Sequence, residues 1–402
     1  MTHAFRGLFV LVLAAAFAWP TAARPAGAPQ WFKGNTHTHT LWSDGDAAPE
    51  LVADWYKSHG YQFLVLSDHN ILAEGEKWRK VGTAKGQVNP EAVQALVDKF
   101  GKDAVETRKA DGAREMRLKT LDELRRRFED PASFIFIKGE EISDKYMALP
   151  IHHNSMNHTH IIRPPGGGSV REVLERTIAA VNAEAKKSGK PVLAHLNHPN
   201  FGWGVNADDI AHVLGERFFE VYNGHRGVRN YGDKDHKSTE QIWDYVLALR
   251  LGKLGGPPLF AFATDDAHNY HRTQETANPG RGWIYVRAAE LTGDAITRAL
   301  LEGDFYASSG VVLGDVVREK GRLSLRVAAQ LGVTYKTRFI GTRKGGEPGE
   351  VFAEVEGPAA AYVLKADQLY VRATVVSSRP HPNGYHPKDF ESAWTQPVVA
   401  GE

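Results

Sequence analysis

His37 and His39 stand two residues apart at the end of a short apolar run, so in an extended strand both side chains leave the same face and can meet one metal ion. Alone the pair says little, because chance places roughly one His-x-His in a chain with 18 His among 402 residues. Similar groups recur near the ends of further expected strands: Asp44, Asp68 with His69, Glu140 with Glu141, His158, His195 with His198, Glu220, and Asp265 and Asp266 with His268. Imidazole nitrogens and carboxylate oxygens without thiolates suit Zn²⁺, Mn²⁺ or Fe²⁺, and a carboxylate such as Glu141 can bridge two ions. Neighbouring divalent ions that activate water and steady the leaving oxygen carry out hydrolysis.

The elements that must position these groups follow from periodicity. Apolar runs at 31–38, 61–67, 134–137, 160–162, 191–195, 218–222, 259–263 and 282–286 read as strands, and 49–59, 170–188, 238–251 and 291–302 as helices. Repeated β then α implies an α/β fold with a parallel barrel or sheet, whose strand C-termini share one face and gather ligands distant in sequence. The Lys-, Arg- and Glu-rich stretch 74–131 reads as a mostly helical insertion. After residue 310 the pattern changes to short alternating runs at 323–327, 335–340 and 368–376 without a helix, which predicts a small all-β, sandwich-like C-terminal domain over 311–402.

The ordered set Asn35-Thr36-His37-Thr38-His39-Thr40, Ser43-Asp44-Gly45, Leu66-Ser67-Asp68-His69-Asn70, Gly139-Glu140-Glu141-Ile142-Ser143, Asn157-His158, Asn197-His198-Pro199-Asn200, Glu220-Val221-Tyr222-Asn223-Gly224 and Thr264-Asp265-Asp266-Ala267-His268 resembles the motifs of the PHP (polymerase and histidinol phosphatase) family. The resemblance spans about residues 31–310 and implies a distorted (β/α)7 TIM-like barrel over 29–310 holding two or three divalent ions. By it, His37, His39, Glu141 and Asp266 hold one ion, Glu141, His158 and His198 a second, and Asp44, His69 and His268 a third. Glu140 competes with Glu141, Asp265 with Asp266, His195 with His198, and His152, His153 or His160 with His158. Ala307-Ser308-Ser309-Gly310 and Ala393-Trp394-Thr395-Gln396-Pro397 are similar to the exported branch that contains carbaryl hydrolases.

Asp68 and Glu220 are expected beside the reacting centre, and Arg226, Arg229 and Arg272 are the cations that would meet an anionic substrate. Trp42, Phe201, Trp203 and Tyr270 flank the motifs and could line an apolar leaving-group pocket.

Arg6 followed by an apolar run to Trp19 and the small residues up to Ala28 read as a signal peptide over 1–28, cleaved after Ala23 or Ala28, which predicts a periplasmic or secreted protein. With no cysteine the mature chain has neither a disulfide framework nor a lipidated cysteine. Hydrophobic residues at 42%, charged residues at 24% and a net charge of +1 exclude a disordered chain and give no nucleic-acid patch, and no transmembrane helix is expected in the mature protein. The expected partner is a small-molecule ester. Phosphoester hydrolysis is the first reading, aryl carbamate or carboxyl ester hydrolysis the second, and a non-catalytic binding protein stapled by metal the third.

Overall fold

The computed structural model describes residues 28–401, so the expected leader over 1–28 lies outside the described residues but for Ala28. The chain opens with β1 (Gln30–Asn35), α1 (Pro49–Ser58) and β2 (Phe63–Leu66). An insertion follows, with β3 (Trp78–Lys80), α2 (Pro90–Phe100), β4 (Thr107–Ala110), β5 (Ala113–Arg117) and α3 (Leu121–Phe128). Next come β6 (Ile135–Tyr146), β7 (Leu149–Met156), α4 (Val170–Ser188), β8 (Leu193–Leu196), α5 (Ala207–His212), β9 (Phe218–Asn223), α6 (Thr239–Leu249), β10 (Phe260–Thr264), β11 (Trp283–Ala288), α7 (Gly293–Leu301) and β12 (Phe305–Ser308). The remainder is β13 (Leu313–Glu319), β14 (Arg322–Val327), β15 (Tyr335–Arg343), β16 (Glu350–Glu356), β17 (Ala359–Val363), β18 (Gln368–Pro380), β19 (Phe390–Thr395) and β20 (Val398–Val399). Among the described residues no helix is long and apolar enough to cross a membrane.

The result is a mixed α/β protein built on one 14-stranded sheet, ordered β10-β9-β8-β7-β6-β2-β1-β11-β12-β19-β18-β15-β16 with β20 beside β18. The short strands β2, β8, β9 and β10 are buried throughout, which is why they read as continuous apolar runs. The expectation of uniformly parallel strands fails at β7, which pairs antiparallel with both β6 and β8, and at β11, which pairs antiparallel with β1 and β12. Met147, at φ 54°, takes part in the tight turn that sends the chain straight back from β6, so a hairpin replaces one helical crossover. That hairpin also removes the strand expected at 160–162, which is irregular.

The regular ladders leave β10 at one end of the path. Beyond the strand ends, however, a parallel bridge Thr38↔Ala267 joins the segments that follow β1 and β10, with Asp266 N–H donating to His37 O at 3.1 Å and His39 N–H to Ala267 O at 3.0 Å. A second bridge, His69↔Glu141, does the same for the segments beyond β2 and within β6.

Two further expectations change. The insertion is not mostly helical, since β3, β5 and β4 form a small antiparallel sheet around Met116, which is buried. The strands after residue 310 do not stand apart, because β12 still offers a free edge and pairs with β19, carrying the main sheet on through β18, β15 and β16. A core of Leu313, Leu323, Leu325, Phe339, Val371 and Val375 lies between this extension and the smaller β13-β14-β17 sheet.

Candidate metal centre

His37 and His39 lie just past β1, where the chain leaves the buried sheet, and both are fully buried. Glu220 on β9 accepts from His37 Nδ1 at 2.7 Å, from Thr264 Oγ1 at 2.7 Å, and from the His198 backbone N–H and Asn223 Nδ2 at 2.8 Å each. With the His37 proton on Nδ1, its Nε2 presents a lone pair, yet that atom stands 3.2 Å from Asp266 Oδ1 and 3.5 Å from Glu141 Oε1. His39 Nε2 faces the same two side chains, at 3.2 Å from Asp266 Oδ1 and 3.5 Å from Glu141 Oε2. Neither Nε2 has a hydrogen-bond partner among the described residues. Acceptors turned toward acceptors in a buried space repel unless a cation lies between them. Ligands at about 2.0–2.1 Å around a tetrahedral ion stand roughly 3.3 Å apart, which matches these separations.

The cluster continues on both sides. His198 Nε2 is 3.4 Å from Glu141 Oε1, and His152 Nδ1 is 3.0 Å from the same oxygen. Asp44 Oδ1 is 3.4 Å from His268 Nε2 and 3.5 Å from His69 Nε2. Four groups bring ligand atoms within 4.8 Å of one another: His39, Asp44, His69 and His268; His37, His198 and Asp266; His37, His39 and Glu141; and His69, Glu141 and His152. His37, His39, Glu141 and His69 each belong to two of them, so the donors fit several closely spaced divalent ions.

The electrostatics agree with a cation-binding cavity. Burial alone would raise Glu141 and Asp266, but the surrounding histidines outweigh it and hold both well below the carboxylate range. Burial, together with His268 and His69, lowers His39 to about 3, which keeps it in the neutral form that ligates. Burial opposes a charge on His37 too, yet Asp266, Glu220 and Glu141 prevail and raise it well above the usual imidazole value.

Local structure explains which member of each doubled pair faces inward. Neighbours on a strand point to opposite faces, so Glu141 meets the histidines while Glu140 turns away and accepts from Ile162 N–H. Asp265 accepts from Asn35, Tyr56 and the Arg281 and Gly282 backbone, whereas Asp266, at φ 49°, is turned into the cluster. His195 contacts Thr36 Oγ1 through Nε2 and stacks on Phe262, while His198, at φ 24°, reaches Glu141. Two candidate ligands in the left-handed region mark stored backbone strain at the site.

His158 lies outside these groups, with Nδ1 donating to His160 O at 2.8 Å, and His152 occupies the place expected of it. The antiparallel return of β7 is the reason, since it delivers position 152 opposite Ser143, two residues beyond Glu141 on β6. Asp68 is spent on the loop, accepting from Thr40 N, Thr40 Oγ1, Ser43 N and Ser43 Oγ at 2.6–3.0 Å. Arg79 of the insertion caps Leu41 O and Ser43 O from the other side, and Gly45 is required because a Cβ there would lie 2.7 Å from His39 O. Together they hold Asp44 in place.

The three arginines do not meet the cluster. Arg226 donates to Tyr385 O, Gln274 O, Gln274 Oε1 and Gly384 O, Arg229 lies over the Trp203 ring at 4.9 Å, and Arg272 is exposed beside Glu91. The C-terminal segment that carries Gly384 and Tyr385 has drawn the first of them away. Sequence reasoning missed His225, whose ring centroid lies 5.7 Å from that of His268. Asn197, named there within a motif but given no role, follows directly on β8 and donates to Glu141 Oε1 at 2.9 Å.

No protein-family model matches the sequence, and no curated protein matches it. Among solved structures the chain is similar to a two-domain protein from Bacteroides vulgatus containing a predicted PHP-like metal-dependent phosphoesterase, at 15% identity over 96% of this chain and 99% of that one, with a TM-score of 0.39. It is also similar to a protein of Bifidobacterium adolescentis assigned by inference as a metal-dependent phosphoesterase, at 12% identity over 68% of this chain and 96% of that one, with a TM-score of 0.32. TM-scores this low leave the chemistry of this chain to be argued from its own residues.

Proposed function

We propose that this protein is a metal-dependent hydrolase of the PHP type that acts on phosphoesters, with β1, β2 and β6 to β10 forming a distorted (β/α)7 barrel over residues 29–310 and the β-rich part over 311–402 buttressing its mouth. Export to the periplasm or medium is part of the same proposal and rests on the leader sequence alone. The observation that carries the reading is the pair of buried, unpartnered nitrogens, His37 Nε2 and His39 Nε2, both facing Glu141 and Asp266. Zn²⁺, Mn²⁺ or Fe²⁺ bound there would supply an activated water and charge stabilisation for the reacting oxygens. His37, His39, Glu141 and Asp266 would hold one ion, His198 and His152 would share Glu141 with a second, and Asp44, His69 and His268 would hold a third. Glu220 fixes the ring orientation of His37.

A second reading, hydrolysis of an uncharged aryl carbamate, is favoured by Phe201, which lies 5.2 Å from the His198 ring and offers an apolar wall, and by the engagement of Arg226 elsewhere. The decisive experiment compares p-nitrophenyl phosphate, its diester analogue and an aryl methylcarbamate with Mn²⁺- or Zn²⁺-loaded protein. Faster turnover of a phosphoester, abolished in His37→Ala, supports the first reading. Turnover of the carbamate alone replaces it with the second.

A further inference from the structure

We infer that His225 is a substrate-binding residue of this site, offering a single N–H to an anionic oxygen of the bound ester; the inference rests on the hydrolase reading above and names how the substrate's charge is met once Arg226 is engaged elsewhere. The loop after β9 places its ring beside the cluster, edge-on to His268 at 5.7 Å and to Phe201 at 6.4 Å between centroids. Phe201 in turn packs on His198 at 5.2 Å, so His225 spans the gap between the His268 side of the site and the His198 side.

Its tautomer is fixed by its own backbone. The Gly227 N–H donates to His225 Nδ1 at 3.0 Å, and a backbone amide can only donate, so Nδ1 carries the lone pair and the ring proton sits on Nε2. Gly227 also backs onto that edge of the ring, since a Cβ there would lie 2.9 Å from Cε1 and 3.0 Å from Nδ1. Among the described residues Nε2–H has no protein partner. His225 lies outside the four ligand groups, and with its Nδ1 lone pair taken up by Gly227 N–H and a proton on Nε2 it is left as a donor. What it can do is donate to a substrate oxygen held beside the His268 and Phe201 rings.

The loop holds this donor in position before substrate arrives. His225 N–H donates to Asn223 Oδ1 at 2.8 Å, Arg226 N–H to Thr276 O at 3.0 Å, and the Arg226 guanidinium ties the next residue to Gln274, Gly384 and Tyr385. The arginine serves as the buttress and the histidine as the contact. A donor fixed in this way loses little freedom when it binds an anion.

The test uses the metal-loaded full chain with His225→Phe, which keeps the ring and removes the donor, and His225→Gln, which restores an amide donor. Calorimetry gives the Kd for inorganic phosphate, elemental analysis the metal content, and p-nitrophenyl phosphate hydrolysis kcat and KM. The expected result is a phosphate Kd and KM raised roughly tenfold or more in His225→Phe at unchanged metal content, with His225→Gln recovering most of the loss. An unchanged phosphate Kd in His225→Phe, a fall in its metal content, or a Gln variant no better than Phe overturns the assignment. A parent protein that neither binds phosphate nor cleaves a phosphoester overturns the phosphoesterase reading and this inference with it, and that failure shows in the parent before any variant is made.

Discussion

Glu220 Oε1 lies 2.7 Å from His37 Nδ1, and this one contact decides which nitrogen of His37 faces the cluster. Glu220 accepts from four donors in all, so it cannot give up an oxygen without stranding a buried partner. Glu220→Gln puts an NH₂ where an oxygen accepted, and either the His37 orientation or the His198 backbone contact is lost. Metal affinity, measured by titration against a chelating indicator, should fall by about 10–100-fold while the fold persists. Affinity within twofold of the parent would show that His37 is oriented by something else.

His152 and His158 separate a site member from a bystander. His152→Ala removes a side chain 3.0 Å from Glu141 Oε1 and should lower metal content per chain, whereas His158→Ala removes one bonded to the His160 carbonyl and should leave it unchanged. Elemental analysis after dialysis reads both. Equal metal loss in the two variants would show that the β7 hairpin does not set the ligand choice.

The same pair shows where the sequence was readable. Strand ends carrying His37, His39, Asp44, His69, His198, Asp266 and His268 were identifiable because a buried parallel strand ends abruptly and its last residues must face the site. Taken alone the residues left Glu140 open beside Glu141, Asp265 beside Asp266 and His195 beside His198, and only the resemblance chose among them, because the sheet alone says which side is inside. His152 stood only among the alternatives to His158, because the hairpin return that places it opposite Ser143, two residues beyond Glu141, leaves no mark in the periodicity. The contacts of Arg226 and Arg272 were not readable because their partners, Gln274, Gly384, Tyr385 and Glu91, are distant in sequence and lie in loops or on α2. No periodicity encodes such contacts.

The C-terminal strands are anchored to the helical layer by a buried ion pair. Arg372 on β18 grips Asp244 on α6 with two bonds, Nε to Oδ1 at 2.8 Å and NH2 to Oδ2 at 2.7 Å, and Tyr370 donates to the same carboxylate at 2.8 Å. Asp244→Ala would leave a buried guanidinium short of its main counter-charge, a loss of about 3–5 kcal/mol. Urea unfolding should show that loss, and the double variant Asp244→Leu with Arg372→Met should recover part of it. A change under about 1 kcal/mol in Asp244→Ala would mean that Glu240, 3.1 Å from Arg372, suffices alone.

The last prediction concerns pH and a group away from the metal ligands. Glu50 lies in the first turn of α1 and is buried, and burial raises its pKa to about 7 against the weaker opposing pull of its own backbone N–H, Lys119 and Arg127. In the unfolded chain a glutamate titrates near about 4.3. Between those values the folded protein binds the extra proton, so stability falls as pH rises through that window, and above about 7 the full cost of a buried charge is present. Glu50→Gln removes the ionisable proton while keeping the shape. Its Tm should exceed that of the parent by a few °C at about pH 8 and converge on it only toward about pH 4, below the unfolded value. The comparison is made by calorimetry at fixed metal loading, because ligand protonation also changes with pH. A variant that is less stable than the parent at the higher pH would mean that the Glu50 carboxylate is held by charge after all, and that burial does not dominate at that position.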